Sequence, residues 1–263
     1  MKVIVIGAGP AGLAAAHAAL GAGAKDVRVL APKRKTPQLG PLLIQRPIPG
    51  INTDHPDGTI HQIVIGGSIL DYRYKLYGDI NIGINGDILK PQYHAWRHAE
   101  TYDLLWREYE GAITDHIVTP TEMATIHETA DLVVSTANAR PLCRDSRHRF
   151  TRVQVAITPY AEYAGGNQPD NTIIFNAGHD AEWTRSSKIF GNEVTEWAPG
   201  SRVPSNGRII EKPISTDCDC YPHVLRTGRF GRWQNEVWID TAYWDTYTAV
   251  EGMLRSRELD GIV

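Results

Sequence analysis

The chain has 263 residues, 42% hydrophobic and 22% charged, with a net charge of −3 and three cysteines. It is long enough to bury a substantial core in one large domain or two modest ones, too apolar for a disordered chain, and too close to neutral for a global case for nucleic-acid binding. Three cysteines make no disulfide framework and point to a reducing, cytoplasmic setting, and no apolar run reaches the roughly 18 residues of a membrane span.

Residues 2–6 (KVIVI) are a short β-branched run of the kind that forms a buried parallel strand. Gly7-Ala8-Gly9-Pro10-Ala11-Gly12 follows at once, so the N-terminus reads as strand and turn rather than as a cleaved leader. An alanine-rich helix to about Leu20 stops at Gly21 and Gly23, and Val27–Ala31 is a second strand closed by Pro32. Thr36 to Gly58 is rich in proline and glycine and reads as an ordered loop. His61–Ile65 and Tyr72–Tyr77 read as strands paired across Gly66-Gly67. Pro91 opens an expected helix that carries Tyr93, Trp96, Ala99, Leu105 and Tyr109 and ends at Gly111. Residues 131–136 are another buried strand, and runs at 152–158, 172–176 and 207–211 predict antiparallel strands of a second layer. Val237–Asp240 reads as a last strand, ahead of a helix from about Tyr243 to Arg257. The sum is an α/β fold. Segments 1–60, 112–145 and 225–263 form a Rossmann-like dinucleotide-binding domain, and 61–111 and 146–224 form a small mixed or antiparallel-sheet substrate layer.

The fingerprint makes specific physical demands. Gly7 permits the sharp turn out of the strand, Gly9 lets backbone touch a pyrophosphate, and Gly12 lets helix and strand pack closely. The helix N-terminus then offers free N–H groups and partial positive charge to the anion. The stretch GAGPAGLAAA, with Pro10 and Ala11 inside it, resembles the N-terminal motif of FAD-containing oxidoreductases. That family usually ends its second strand with a ribose-binding Glu, and here the slot falls at Ala31. Lys33, Arg34 and Lys35 follow, a trio that is either a solvated basic loop or a seat for the 2′-phosphate of NADP.

Three further segments resemble flavoproteins of the amine-oxidase and UDP-galactopyranose-mutase type. QLGPLLIQRPIPGI (38–51) is similar to their loop after the second strand, which implies that Gly40, Pro41 and Leu42 pass near the isoalloxazine. DLVVSTANA (131–139) resembles a strand whose end, at Thr136 and Ala137, lies beside the dinucleotide. GRFGRW and WIDTAYWDTYTAVEGML (within 228–254) resemble the mutase-type C-terminal signature. That likeness implies Gly228 and Arg229 near flavin or substrate, and Asp240, Thr241 and Ala242 near the ribityl chain or pyrophosphate. The implied architecture is a Rossmann-like FAD-binding domain with a substrate layer. The implied activity is oxidation or cleavage of a C–N bond in an amine or amino-acid-like substrate. With one complete fingerprint and none for NAD(P)H beside it, the flavin is expected to be reduced by its own substrate or an outside partner, or to do redox-neutral lyase chemistry.

Candidate chemistry has plain alternatives. Trp233, Trp238, Tyr243 and Trp244 are either walls of a flavin pocket or core aromatics, and Lys75 either holds a water near the flavin, as a lysine does in amine oxidases, or simply ends a strand. Arg185 and Glu196 are candidate substrate contacts. Five arginines (140, 144, 147, 149 and 152) against Asp145 give a local charge of +4 between residues 140 and 152. This is a solvated surface or a site for an anionic substrate or DNA backbone, with Arg147 and Arg149 as contacts. Several segments also resemble small bacteriophage flavoproteins, some of which act on amino-acid-modified thymine in DNA. His98-Ala99-Glu100 spells part of a zinc-deaminase motif but lacks its P-C-x-x-C. Cys218-x-Cys220-x-x-His223 has no evident fourth ligand, so the cysteines are expected to be free and no metal site is expected. An NADP-dependent oxidoreductase and a non-catalytic nucleotide- or DNA-binding protein remain the competing readings.

Overall fold

Val3 to Ile6 are at most 5% exposed because strand β1 (Lys2–Ile6) lies at the centre of a parallel sheet covered on both faces. The computed structural model describes residues 1–35, 43–82, 90–159, 168–202, 205–235 and 237–259; Gly40, Pro41 and Leu42 lie outside the described residues. β1 pairs in parallel with β2 (Asp26–Ala31) on one side and β7 (Leu132–Ser135) on the other. β6 (Ile113–Asp115) and β13 (Val224–Arg226) complete the order β13-β7-β1-β2-β6. Helix α1 (Pro10–Gly21) links β1 to β2, and its Leu13, Ala14, Ala15, Ala16, Ala18 and Ala19 are wholly buried. Alanine suits all of its faces, since the helix is pressed between this sheet, α3 (His98–Tyr109) and α7 (Ile239–Leu259). The chain leaves β1 toward β2 and later returns to β7 on the opposite side. The C-terminal ends of β1 and β7 are therefore a topological switch point, where open α/β sheets bind ligands.

A second, mixed sheet of eight strands has the order β12-β8-β11-β10-β9-β4-β5-β3. Its members are β3 (Leu43–Ile44), β4 (Gly58–Ile65), β5 (Gln92–Arg97), β8 (Phe150–Thr158), β9 (Thr172–Asn176), β10 (Trp183–Ile189), β11 (Asn192–Trp197) and β12 (Arg208–Thr216). All neighbours are antiparallel except β4 and β9. The sheet thus takes in residues 43–44 and 58–60, ahead of the expected start at 61, while α3 packs with the first sheet on α1. The chain crosses from the first sheet to the second twice, after β2 and after α5 (Ala139–Leu142), and crosses back between β5 and β6 and between β12 and β13.

Three expected elements differ. Residues 72–77 lie within helix α2 (Ile69–Tyr77), fixed by a Ser68–Asp71 capping box and a left-handed Gly78. Gly66 and Gly67 therefore lead into a helix, and β4 pairs with β5 and β9 instead. The helix expected from Pro91 is two elements: Tyr93 and Trp96 belong to β5, and α3 begins only at His98. Val237 and Trp238 precede α7, whose first residues are Ile239 and Asp240, so β13 is the last strand. No helix is long and apolar enough to cross a membrane among the described residues.

Candidate functional site

Three segments distant in sequence meet where β1, β7 and β13 end. A Cβ on Gly12 would fall 1.8 Å from the Gly7 carbonyl oxygen and 2.8 Å from Thr136 Oγ1, so no larger residue fits between turn and helix. Gly7 itself turns with φ +108°. Thr136 and Ala137 both donate their N–H to the Ile6 carbonyl, at 2.9 and 3.1 Å, which binds the end of β7 to the fingerprint. From the other side, a Cβ on Gly231 in helix α6 (Gly228–Arg232) would sit 2.4 Å from the Ser135 carbonyl oxygen, and one on Gly228 2.8 Å from Ala11 Cβ. The result is a cradle lined by backbone. No side chain caps the N-terminus of α1 at Gly9, and its first turn, from Pro10, holds no acid. Its N–H groups and dipole are thus left for an anion.

Asp240 is the second residue of α7, buried at 4% exposure, and its Oδ1 has no partner. Burial pushes its carboxyl up to about 6, opposed by Arg46 and by backbone N–H groups. Thr241 Oγ1 accepts the Trp238 N–H at 3.4 Å, and Ala242 is fully buried. Ala31 ends β2 in register with Asp115 of β6. That acid accepts the Lys33 N–H at 3.1 Å and puts a carboxylate where the sequence had none. Lys35 pairs with Asp103 and lies 5.6 Å from the Tyr102 ring centroid, and Arg34 is exposed.

The second sheet carries a buried charge cluster. Glu196 on β11 is fully buried, and its Oε2 accepts from Lys212 Nζ at 2.5 Å and Arg185 at 3.1 Å. Burial would raise the Glu196 carboxyl, but Lys212, Arg185 and Arg229 outweigh it and hold it below the usual carboxylate range. Lys212 is lowered to about 8, chiefly by burial, with Arg185 and Arg229 adding to the effect and Glu196 opposing it. Arg229 also acts on His98, which burial lowers to about 4, so the ring is neutral at pH 7. The His98 Nδ1 is buried without a partner. Lys212 and Arg185 thus pair with one carboxylate on which Arg229 also acts, with the hydroxyl groups of Tyr72, Tyr77 and Tyr93 close enough to act on Arg185.

Other expected site residues lie elsewhere. Lys75 donates to the carbonyls of Gly178, Ala181 and Trp183 at 2.5–2.9 Å, which uses all three of its N–H groups on the β9–β10 connection. Trp233 has no exposed surface, bonds the Thr151 carbonyl at 3.0 Å and packs edge-on against Phe150. Tyr243 is 3% exposed in the core cluster that joins α1 to α7, between His17 and Trp244. Trp244 lies beneath Arg46, and Trp238 is half-buried. Neither Trp233 nor Tyr243 therefore offers a pocket wall. Arg147 pairs with Asp145 at 2.6 Å, while Arg140 and Arg152 lie 4.0 and 3.3 Å from Glu211 on β12. Arg149 is exposed, and its N–H bonds Asp217. Acids from a distant strand and its following loop thus offset much of the local +4. Glu100 pairs with Arg97, and His223 stacks on His127 at 5.2 Å. Ser135, Lys212 and Asp115 were not signalled individually by the sequence, because only strand register and burial give them a role.

No family model and no curated protein matches the sequence. Solved structures share the fold across nearly the whole chain. Reduced UDP-galactopyranose mutase superposes with TM-score 0.54 at 10% identity, covering 97% of this chain and 94% of that one. A flavoprotein/dehydrogenase from Cytophaga hutchinsonii gives 0.53 at 14%, covering 99% and 78%. CtdE in complex with FAD and a substrate gives 0.50 at 13%, covering 95% and 80%. This is a flavoprotein fold. The β1–α1 turn and the ends of β7 and β13 form the switch-point edge of its parallel sheet, the place where open α/β sheets take their ligands.

Proposed function

We propose that this chain is an FAD-dependent oxidoreductase acting on the C–N bond of an amino-acid-like amine, free or carried on a nucleobase. The observation that carries the substrate class is the pair of cations, Lys212 and Arg185, on the buried carboxylate of Glu196, with the Arg185 side chain still 31% exposed. Two cations on one carboxylate leave a net positive charge, and the accessible side of the Arg185 guanidinium can take an acidic group of the substrate. FAD fits the cradle on two counts. The bare N-terminus of α1 suits its pyrophosphate, and the unpartnered Oδ1 of Asp240 is a ready acceptor for a ribityl or ribose hydroxyl. When bound, FAD supplies the hydride acceptor. The chain's own part is to orient the acidic group at Arg185, to exclude water, and to present the neutral His98 ring beside Arg229. NADP is disfavoured at Lys33–Lys35, since Asp115 and Asp103 already engage that loop and would repel a 2′-phosphate.

The purified protein should be yellow and release FAD on denaturation. Anaerobic mixing with α-amino acids should bleach it, with amines lacking an acidic group slower by about tenfold, the equivalent of one lost ionic contact. Duplex DNA bearing an amino-acid-modified thymine is the second substrate arm, and bleaching there with no response to free amino acids places the substrate on the nucleobase. A colourless protein that FAD cannot reconstitute overturns the flavin reading. Bleaching indifferent to the acidic group overturns the substrate class. Arg185→Met should raise KM about tenfold with a smaller change in kcat.

A further inference from the structure

We propose that Cys143, His148, Cys218 and Cys220 form a structural zinc site that shares no residue with the cofactor cradle. The four ligand atoms lie within 4.8 Å of one another. Cys143 Sγ is 3.7 Å from Cys220 Sγ, 3.6 Å from Cys218 Sγ and 3.3 Å from His148 Nδ1, and Cys220 Sγ is 3.4 Å from the same nitrogen. A tetrahedral zinc with bonds of about 2.3 Å to sulfur and 2.0–2.1 Å to nitrogen has S···S edges of about 3.8 Å and S···N edges of about 3.5 Å. These four of the six edges match that figure within a few tenths of an ångström, and the two others lie within 4.8 Å. A disulfide would join only two of the three sulfurs and leave the third, and the imidazole, unexplained.

The surroundings complete the site. His148 Nε2 faces Asp219 Oδ1 at 3.4 Å, the outer partner that leaves Nδ1 free to ligate. The Cys220 sulfur accepts backbone N–H bonds from Arg144 and Asp145, which stabilise a thiolate. Three thiolates and a neutral histidine around Zn²⁺ carry a net −1, and Arg144, Arg147 and Arg226 lie in or against the two ligand-bearing segments; Arg226 donates to the Cys218 carbonyl at 2.5 Å. This gives part of the arginine run a reason other than a polyanionic ligand. All four ligands come from protein, so the site is closed and structural rather than catalytic. Cys143 and His148 lie on the chain's passage from α5 to β8, and Cys218 and Cys220 on its return from β12 to β13. One ion would therefore tie together two of the four passages of chain between the sheets. His223, three residues beyond Cys220, is stacked on His127 and takes no part.

The test uses the whole protein prepared without chelator or metal-affinity resin. Plasma mass spectrometry should find one zinc per chain, and X-ray absorption at the zinc edge should show three sulfurs and one nitrogen. Cys218→Ser and His148→Ala should lose the zinc, while His223→Ala keeps it. Should the variants fail to fold, the absorption spectrum of the unaltered protein still decides. Dipicolinate should lower the thermal midpoint, and added zinc should restore it. Absence of stoichiometric zinc together with no uptake from added zinc overturns the proposal, as does a bound zinc with only nitrogen and oxygen neighbours.

Discussion

At the scale of single residues, Asp240 is a buried carboxylate that costs stability. Its native pKa of about 6 lies above the ordinary 3.8 because the carboxyl is buried. Between those values the native state holds a proton that the unfolded chain has released. Its contribution to stability therefore falls as pH rises through the window, and the cost is complete above pH 6. Asp240→Asn should stabilise the cofactor-free protein at neutral pH by on the order of 2 kcal/mol and change little near pH 3.5. Denaturant midpoints at the two pH values check this, and a loss of stability at neutral pH would show the carboxylate to be well matched without cofactor. Glycines separate by the same local reasoning. Gly12→Ala would drive a methyl into the Gly7 carbonyl and should cost about 3 kcal/mol or prevent folding. Gly252→Ala, in α7 with open space around it, should gain about 0.5–1 kcal/mol. The fingerprint was legible because its identities are forced by contacts a few residues apart. Trp233 and Tyr243 were not, because only tertiary packing decides whether an aromatic faces a pocket or a core.

At the scale of elements, α2 was the instructive misreading. Its Tyr-rich stretch has strand propensity, yet Ser68, Asp71 and Gly78 carry both helix-end signals, and the ends outweighed the propensity. The helix matters because it delivers Lys75 to three carbonyls of the β9–β10 connection. Lys75→Met keeps the length of the side chain but leaves those acceptors without their donor. It should lower stability by about 2–3 kcal/mol, while the fraction that stays folded keeps its flavin and its rate of anaerobic reduction. Reduction slowed strongly with an unchanged thermal midpoint would return Lys75 to the flavin. In the first sheet β1, β2 and β7 were legible as apolar β-branched runs, whereas the three-residue edge strands β6 and β13 were too short to show a pattern. β5 was missed since Tyr93 and Trp96 continue the helical spacing of α3 across the junction at His98.

At the scale of the whole molecule, a strand–turn–helix in the first thirty residues announced the fold class, but not how much of the chain serves it. The cradle needs Thr136 from β7 and Gly228 and Gly231 from beyond β13, and these arrive only after the chain has built most of a second sheet. Pairing of strands this far apart leaves no local trace, which is why Asp115 and Lys212 were invisible in one dimension and Arg185 and Glu196 stood there only as separate candidates. The same geometry makes a prediction about ligand binding. FAD added to cofactor-free protein should raise stability by mass action, about 2.7 kcal/mol at a hundredfold excess over Kd. Amide exchange should slow together at residues 7–13, 135–137 and 228–242, because one ligand would span all three. NADP at the same concentration should leave these amides unprotected, since the β2 end offers it Asp115 rather than a phosphate seat. Protection by FAD confined to residues 7–13 would mean that the later segments only brace the turn. Protection by NADP in place of FAD would transfer the site to the nicotinamide cofactor and give Lys33 and Arg34 the role of phosphate ligands.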